Sequence, residues 1–194
     1  MDQTVPNQAE RFLELLRPIQ RELEIYCRRL VWASDEAPDT LQNAVLRAFA
    51  AFSRYRPEAS FRAWMFKILT REAFAMNRKH ARIAHYEFQL EPEELAALTS
   101  EPPLRQTEPQ SVSAEALSES LEPVLSAALK TLTDTERAVL LLRSIGELRY
   151  REIAEALDIP LGSVMGNLSR ARVKMRAVLG RAARRSQALK ENDL

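Results

Sequence analysis

The sequence predicts an all-α protein made of two small helical domains that are joined by a flexible acidic linker. Apolar residues recur three and four positions apart along most of the 194 residues, which is the spacing of an amphipathic helix. Strand signals are scarce, because the chain has only 4 glycines and contains no Asn-Gly or Asp-Gly pair that would mark a hairpin. Prolines interrupt a Glu- and Ser-rich stretch between the two helical parts.

The first domain is predicted over residues 8–86. Its first helix spans residues 8–33, where Pro18 either kinks the helix or marks the start of a new one. Pro38 begins a second helix, and Ser60 is a suitable N-cap for a third helix from Phe61 to about Arg82. The apolar positions of the second helix are expected to be Leu41, Val45, Leu46, Ala48, Phe49 and Phe52.

The linker is predicted over residues 87–123, with a short helix near 93–98. The second domain follows at 124–182, and residues 183–194 are expected to form a polar tail that frays. Within this domain, Thr133 and Glu136 have the spacing of a capping box, and Gly146 is expected to end the helix that the box begins.

Residues 149–172 predict two short helices joined by a sharp turn. Ile153, Ala154 and Leu157 give the first helix an apolar face, and Asp158 tolerates the left-handed backbone that such a turn requires. This pattern is typical of a helix-turn-helix, whose second helix can enter the major groove of DNA. The apolar face of that second helix is predicted at Val164, Leu168, Ala171, Met175 and Val178.

The net charge of +1 conceals a strong segregation. Residues 1–90 carry 14 Lys and Arg against 11 Asp and Glu (+3), residues 91–124 carry 1 against 8 (−7), and residues 125–194 carry 13 against 8 (+5). Two basic blocks that would attract polyanions are therefore separated by an acidic segment.

Composition argues against several other classes of protein. No apolar run is long enough for membrane insertion, no signal peptide is recognisable, and a single cysteine, Cys27, excludes an intramolecular disulfide; these features favour the cytoplasm. Cys27 is expected in the core. His80 and His85 lack suitable partners, so they are interpreted as surface residues, and neither a metal nor a cofactor is expected.

Two separate blocks resemble one family. Residues 129–179 closely resemble the C-terminal domain of bacterial extracytoplasmic-function (ECF) sigma factors, in Glu136, Arg137, the run Val139–Arg143 and the stretch around Gly162–Val164. Leu46–Phe49 and Phe61–Phe66 are similar to two helices of that family's first domain. The resemblance covers roughly residues 10–82 and 125–180.

The resemblance implies a function without catalytic residues. Such proteins bind core RNA polymerase and direct it to promoter DNA: the first domain docks on the polymerase and opens the −10 element, and the second reads the −35 element. An anti-sigma protein is a further partner that the resemblance allows.

The resemblance assigns the −35 element to the second helix of the motif. Asn can bond adenine bidentately and Arg can bond guanine, whereas Met165 and Asn167 stand where the family often has Lys and Arg. The alternative is a buried structural helix pair with solvated charges. The expected DNA contacts are Ser163, Met165, Gly166, Asn167, Ser169, Arg170, Arg172 and Lys174.

For the −10 element, cations would hold the backbone and aromatic rings would stack on exposed bases. Core packing is the alternative for Phe61 and Trp64, and solvation for the basic cluster Arg78–Arg82. The loop 56–60 resembles the family's pocket for a flipped-out base. The expected contacts are Arg56, Phe61, Arg62, Lys67, Arg71, Arg78, Lys79 and Arg82.

The second helix aligns with the polymerase-docking helix of the family. The expected contacts are Asp39, Gln42, Leu46 and Arg47, whereas Pro38 and Asn43 replace acids that are common there. A phosphate on Thr40 would restore negative charge at this surface, which is a hypothesis for regulation.

Two other functions compete with a promoter-specificity factor. The first is a sigma-like decoy that binds a regulatory protein without engaging DNA, which the sparse acids near Asp39 and the replacements at Met165 and Asn167 favour. The second is an ordinary helix-turn-helix repressor, which leaves the first domain unexplained.

Overall fold

The computed structural model describes residues 7–58, 60–87 and 114–191, with side chains described for 7–58, 60–82 and 122–184. These residues are helical and contain no strand, which confirms the predicted all-α class. The expected helix near 93–98 and the side chain of His85 lie outside the described residues. The helices are α1 (Gln8–Leu16), α2 (Gln20–Leu30), α3 (Ala37–Ala51), α4 (Phe61–Glu87), α5 (Ala114–Lys130), α6 (Asp134–Ser144), α7 (Tyr150–Leu157) and α8 (Leu161–Glu191).

Pro18 divides the first predicted helix in two. A 3₁₀ turn at Arg17–Ile19 carries Pro18 at its start, and it separates α1 from α2. Proline is tolerated there because the first turn of a helix needs no amide donor. Phe12 and Leu16 of α1 and Leu23, Tyr26 and Leu30 of α2 are buried in one core.

Helix α3 buries only part of its predicted apolar set. The buried residues are Ala37, Thr40, Ala44 and Ala48, whereas Leu46 and Phe49 are 59% and 39% exposed. Small side chains at spacings of three and four let α3 approach α2 and α4 closely, with Leu41 and Val45 partly buried beside them and Leu46 facing outward. The prediction that Leu46 and Phe49 belong to the buried face of this helix is therefore wrong.

The burial of Thr40 also removes the phosphorylation hypothesis. Its side chain is 2% exposed, and its hydroxyl has no hydrogen-bond partner among the described residues. A kinase could not reach this hydroxyl without unfolding the start of α3.

Helix α4 is the central element of the first domain. Ser60 caps it as predicted, because its Oγ accepts from the Ala63 amide at 3.2 Å. The buried Asn77 side chain accepts from the Trp32 amide and donates to the Leu30 carbonyl, so it satisfies the end of α2. Cys27 is buried as expected, and burial raises the pKa of its thiol to about 12.

The second domain packs α6 and α5 against α8, with α7 crossing beside them. Helix α5 begins at Ala114, inside the segment expected to be linker, and it contains Pro123. Helix α6 starts in the predicted capping box: the Glu136 amide donates to Thr133 Oγ1 at 3.2 Å and the Thr133 amide donates to Glu136 Oε2 at 3.0 Å. Helix α8 continues through Gly180 to Glu191, where a fraying tail was expected from residue 183.

The surroundings of Gly146 and Gly180 predict that substitution by alanine has opposite effects on stability at the two positions. A Cβ on Gly146 would lie 2.8 Å from the Leu142 carbonyl oxygen, so the backbone would have to move. Gly180 lies inside α8, and its Cβ would meet only the end of the Arg184 side chain, at 3.9 Å. We expect Gly146→Ala to destabilise the fold by about 1–3 kcal/mol and Gly180→Ala to stabilise it by about 0.5–1 kcal/mol.

Urea unfolding of both variants measures this pair of changes. Equal signs for the two substitutions would contradict the packing described around Gly146.

Candidate nucleic-acid interface

The helix-turn-helix forms as the sequence predicts. Asp158 ends α7 in the left-handed region with φ 55° and ψ 48°, and the Ile159 amide donates to the Ala154 carbonyl at 3.1 Å. Val164, Leu168 and Ala171 are buried, which fixes the rotation of α8 about its axis. The opposite side of α8 therefore faces solvent at its N-terminal half.

The expected −35 contacts divide by exposure. Met165, Ser169, Arg170 and Arg172 are exposed, so a ligand can reach their side chains. The remaining expected contacts are all partly buried: Ser163, Gly166, Asn167 and Lys174. Each of these residues lies outside the buried stripe of α8.

Asn167 and Arg170 bond to each other. Arg170 Nη2 donates to Asn167 Oδ1 at 2.9 Å, and Asn167 Nδ2 donates to the Ser163 carbonyl at 2.8 Å. Each amide atom of Asn167 keeps one further hydrogen-bonding site, which bidentate contact with adenine would use.

Glu136 connects α6 to the same group of side chains. The three-residue spacing of the capping box did not predict this connection. Its carboxylate is 3% exposed; Oε2 accepts from Lys174 Nζ at 2.6 Å, and Oε1 lies 3.4 Å from Arg170 Nε. The capping box identified Glu136 as a helix-start residue, but its partners on α8 are 34 and 38 residues further along the chain. Lys174, expected as a DNA contact, is thus bonded inside the protein.

The aromatic residues of the first domain form a packed cluster instead of a stacking platform. Phe61 is 8% exposed, and its ring centroid lies 5.5 Å from that of Tyr55 and 5.6 Å from that of Trp64. The ring meets Tyr55 edge to face and Trp64 at a tilt of 42°, and its burial leaves no free face for a base, so the expected DNA contact at Phe61 is corrected. Trp64 is half-buried in the same cluster.

The basic residues of α4 lie mostly at the surface. Arg71, Arg78, Lys79 and Arg82 are exposed and Lys67 is partly buried, whereas Arg56 is exposed in the loop before α4. Beside that loop is an open cavity of about 330 Å³, lined by Gln8, Arg11, Phe52, Ser53, Tyr55 and Pro57.

Arg62 forms a hydrogen bond across the boundary between the domains. Its Nη1 donates to the Gly146 carbonyl at 3.4 Å, and its Nη2 lies 3.7 Å from a Glu22 carboxylate oxygen. Two further contacts join the domains near the end of α2: Trp32 Nε1 donates to Asp134 Oδ1 at 3.0 Å, and Arg29 pairs with Glu122 at 3.0 Å. Sequence patterns gave no signal for these contacts, because they depend on how the two domains pack.

The expected docking residues share the exposed side of α3. Asp39, Gln42, Leu46 and Arg47 are all exposed, and Arg47 Nε lies 3.2 Å from Glu72 on α4. His80, expected as a surface residue, is partly exposed and pairs with Glu36 near the start of α3.

The described residues hold no group of three His, Cys, Asp or Glu side chains that could bind a metal ion. Of the helices in the described ranges, none combines the length and the apolar character that crossing a membrane requires.

The hydrogen bonds and ion pairs of Glu136 predict that the protein loses stability in acid. Burial raises the pKa of this carboxyl, but the hydrogen bonds from Lys174 and Thr133 outweigh burial and hold the pKa below its ordinary value of 4.5. The unfolded chain therefore binds this proton more readily, so the stabilisation is complete above the unfolded-state pKa and is lost as the pH falls through the folded-state pKa.

We expect Glu136→Gln to lower the free energy of unfolding by about 1–3 kcal/mol near pH 7. Urea titrations between pH 3 and pH 7 should show this difference shrinking below about pH 4.5. A difference that stays constant or grows in acid would contradict the described ion pairs.

Comparison with known proteins identifies both halves of the chain. Residues 15–83 match the family model for Sigma-70 region 2, and residues 124–175 match the model for Sigma-70, region 4. ECF RNA polymerase sigma factor SigG of Mycobacterium tuberculosis is 29% identical over 190 residues, which cover 88% of this chain and 49% of SigG. The chain thus spans about half the length of that relative. ECF RNA polymerase sigma-E factor of Escherichia coli is 27% identical over 143 residues, which cover 72% of this chain and 71% of sigma-E.

Two solved structures share the fold. The sigma factor RpoE, in its complex with the anti-sigma factor NepR from Bartonella quintana, has a TM-score of 0.67 at 20% identity, covering 88% of this chain and 97% of RpoE. CnrH, in its complex with the cytosolic domain of CnrY, has a TM-score of 0.62 at 22% identity, covering 90% of each chain. With regions 2 and 4 present in order and ECF sigma factors among its relatives, the chain belongs to the ECF sigma factor family.

Proposed function

We propose that the chain is an alternative sigma factor of the ECF type, which binds core RNA polymerase and directs initiation at specific promoters. The observation that carries the proposal is the presence of both sigma modules on one chain, with the outer side of α8 free of core contacts. The proposal assigns recognition to the chain and catalysis to the polymerase. Because core polymerase works in the cytoplasm, the chain would act there.

For the −35 element, we assign base contacts to the N-terminal half of α8. Arg170 is exposed and can reach guanine, whereas Met165 is 48% exposed and presents an apolar surface suited to a thymine methyl group. Arg172 is exposed further along the helix, where contact with phosphates is more suitable.

For the −10 element, the proposal relies on the exposed cations of α4 and on the cavity beside loop 56–60. Arg71, Arg78, Lys79 and Arg82 can hold the backbone of an opened strand. The cavity beside Tyr55 and Pro57 is the site that we assign to an extruded base.

Opening of the promoter requires the domains to separate in this proposal. Arg62, an expected −10 contact, is bonded across the domain boundary to Gly146, so it must leave this partner before it can reach DNA. The exposed Arg29–Glu122 pair contributes at most about 1 kcal/mol to the closed arrangement. An anti-sigma partner, such as NepR in the complex with RpoE, would act on the same equilibrium if it binds both domains.

The exposed apolar side chain of Leu46 on α3 predicts that a charge at this position weakens docking. Leu46 is 59% exposed and lies beside the exposed polar residues Gln42 and Arg47. We expect Leu46→Asp to weaken binding to core polymerase at least about tenfold without unfolding the chain, because an apolar centre would lose its contact with the partner.

Fluorescence titration with core polymerase measures this effect. Leu179→Asp is the matched control, since Leu179 is 37% exposed on α8 and lies outside the proposed docking surface. Equal affinities for wild type and Leu46→Asp would show that α3 does not dock.

Gel-shift experiments with and without core polymerase separate the three candidate functions. A sigma factor is expected to shift promoter DNA strongly only with polymerase, because the isolated chain binds DNA weakly and in a salt-dependent manner. A decoy would shift DNA under neither condition, and a repressor would shift it equally without polymerase. Either of the last two results would contradict the proposal.

A further inference from the structure

We propose that Glu136 is a positioning residue for DNA readout: it fixes Arg170 and Lys174 on the recognition helix, and through Arg170 it also fixes Asn167. The second domain would then owe part of its sequence discrimination to a residue that does not touch DNA. This inference rests on the proposed function of α8 as the −35 reader.

The anchor is rigid because Glu136 belongs to the core side of α6. The residue is 3% exposed, and Val139 and Leu142 in the next two turns are fully buried. One carboxylate oxygen, Oε2, accepts from Thr133 N at 3.0 Å and from Lys174 Nζ at 2.6 Å. The other, Oε1, lies 3.4 Å from Arg170 Nε.

The orientation continues from Arg170 to Asn167. The guanidinium of Arg170 bonds Asn167 Oδ1, and it lies over Gly166, where a Cβ would come 3.5 Å from Nη1. It thus extends along α8 toward the N-terminal end, which is the end of a recognition helix that contacts base edges. A guanidinium has five N–H donors in a fixed plane, so bonds to Glu136 and Asn167 leave donors in a defined direction for a base.

Capping of α6 alone does not account for this arrangement. A cap requires one carboxylate oxygen, whereas Glu136 engages two cations of α8 with both oxygens. A buried negative charge beside phosphates also opposes DNA binding in general. We therefore expect Glu136 to favour discrimination between sequences over affinity for any DNA.

The test uses the full chain bound to core polymerase. Duplexes enriched from a randomised library by the wild-type chain serve as the selected probe, and scrambled duplexes of the same composition serve as the reference. Glu152→Gln is the matched control, because Glu152 occupies the same capping-box position on α7, where its carboxylate accepts from the Arg149 amide at 2.7 Å.

With Glu136→Gln we expect the ratio of affinities, selected over scrambled, to fall about fivefold to twentyfold. Affinity for scrambled duplexes should be unchanged or increased, and Glu152→Gln should keep the wild-type ratio within about twofold. If Glu136→Gln does not fold, Glu136→Asp tests the same point, since it keeps the charge and withdraws the carboxylate by one methylene.

A double-variant cycle gives a second readout. If Glu136 acts through Arg170, the Glu136→Gln/Arg170→Lys pair should discriminate no worse than Arg170→Lys alone. An unchanged ratio in Glu136→Gln, equal losses on both probes, or additive losses in the cycle would overturn the inference. Failure of the wild-type chain to enrich any duplex would overturn the proposed function as well, so the two failures are distinguishable.

Discussion

The buried carboxylate in the first turn of α6 is the constraint that links the described parts of the structure. A carboxylate that is removed from water must be paired and hydrogen-bonded, otherwise its burial is strongly unfavourable. Glu136 meets this requirement with its own helix start and with two cations of α8. The same turn holds α5 through Arg137, whose Nε donates to the Leu129 carbonyl at 3.1 Å, and it meets the first domain where Asp134 accepts from Trp32.

Features that depend on neighbouring residues could be predicted from the sequence. The Ser60 cap, the Thr133–Glu136 capping box and the left-handed Asp158 all form as expected, because each involves residues a few positions apart. The buried stripe of α8 was equally predictable, since Val164, Leu168 and Ala171 follow the helical repeat.

Features that depend on tertiary packing could not be predicted in the same way. Apolar residues surround much of α3, so its periodicity did not determine that Ala44 and Ala48 face the core while Leu46 faces solvent. Phe61 is compatible with either packing or stacking until its aromatic neighbours are known. The pairing of Glu136 with Lys174 likewise requires the relative placement of α6 and α8.

The two sigma modules divide the proposed work according to their surfaces. The first presents an exposed apolar and polar side on α3 together with cations along α4, and the second presents mixed polar and apolar side chains on α8. Arg62 and Trp32 make polar contacts between these modules, and the apolar core is continuous across both, because α4 packs on α7 and α2 packs on α6. In the proposed function, a larger partner that binds the modules individually would have to offset the loss of this shared apolar contact.

Mapping of RNA 5′ ends tests the central claim most directly. Core polymerase would transcribe fragmented genomic DNA in the presence and absence of the purified chain. The account predicts new start sites that appear only with the chain and share two upstream sequence elements at a fixed spacing, one for each module. Start sites identical to those of core polymerase alone would contradict it.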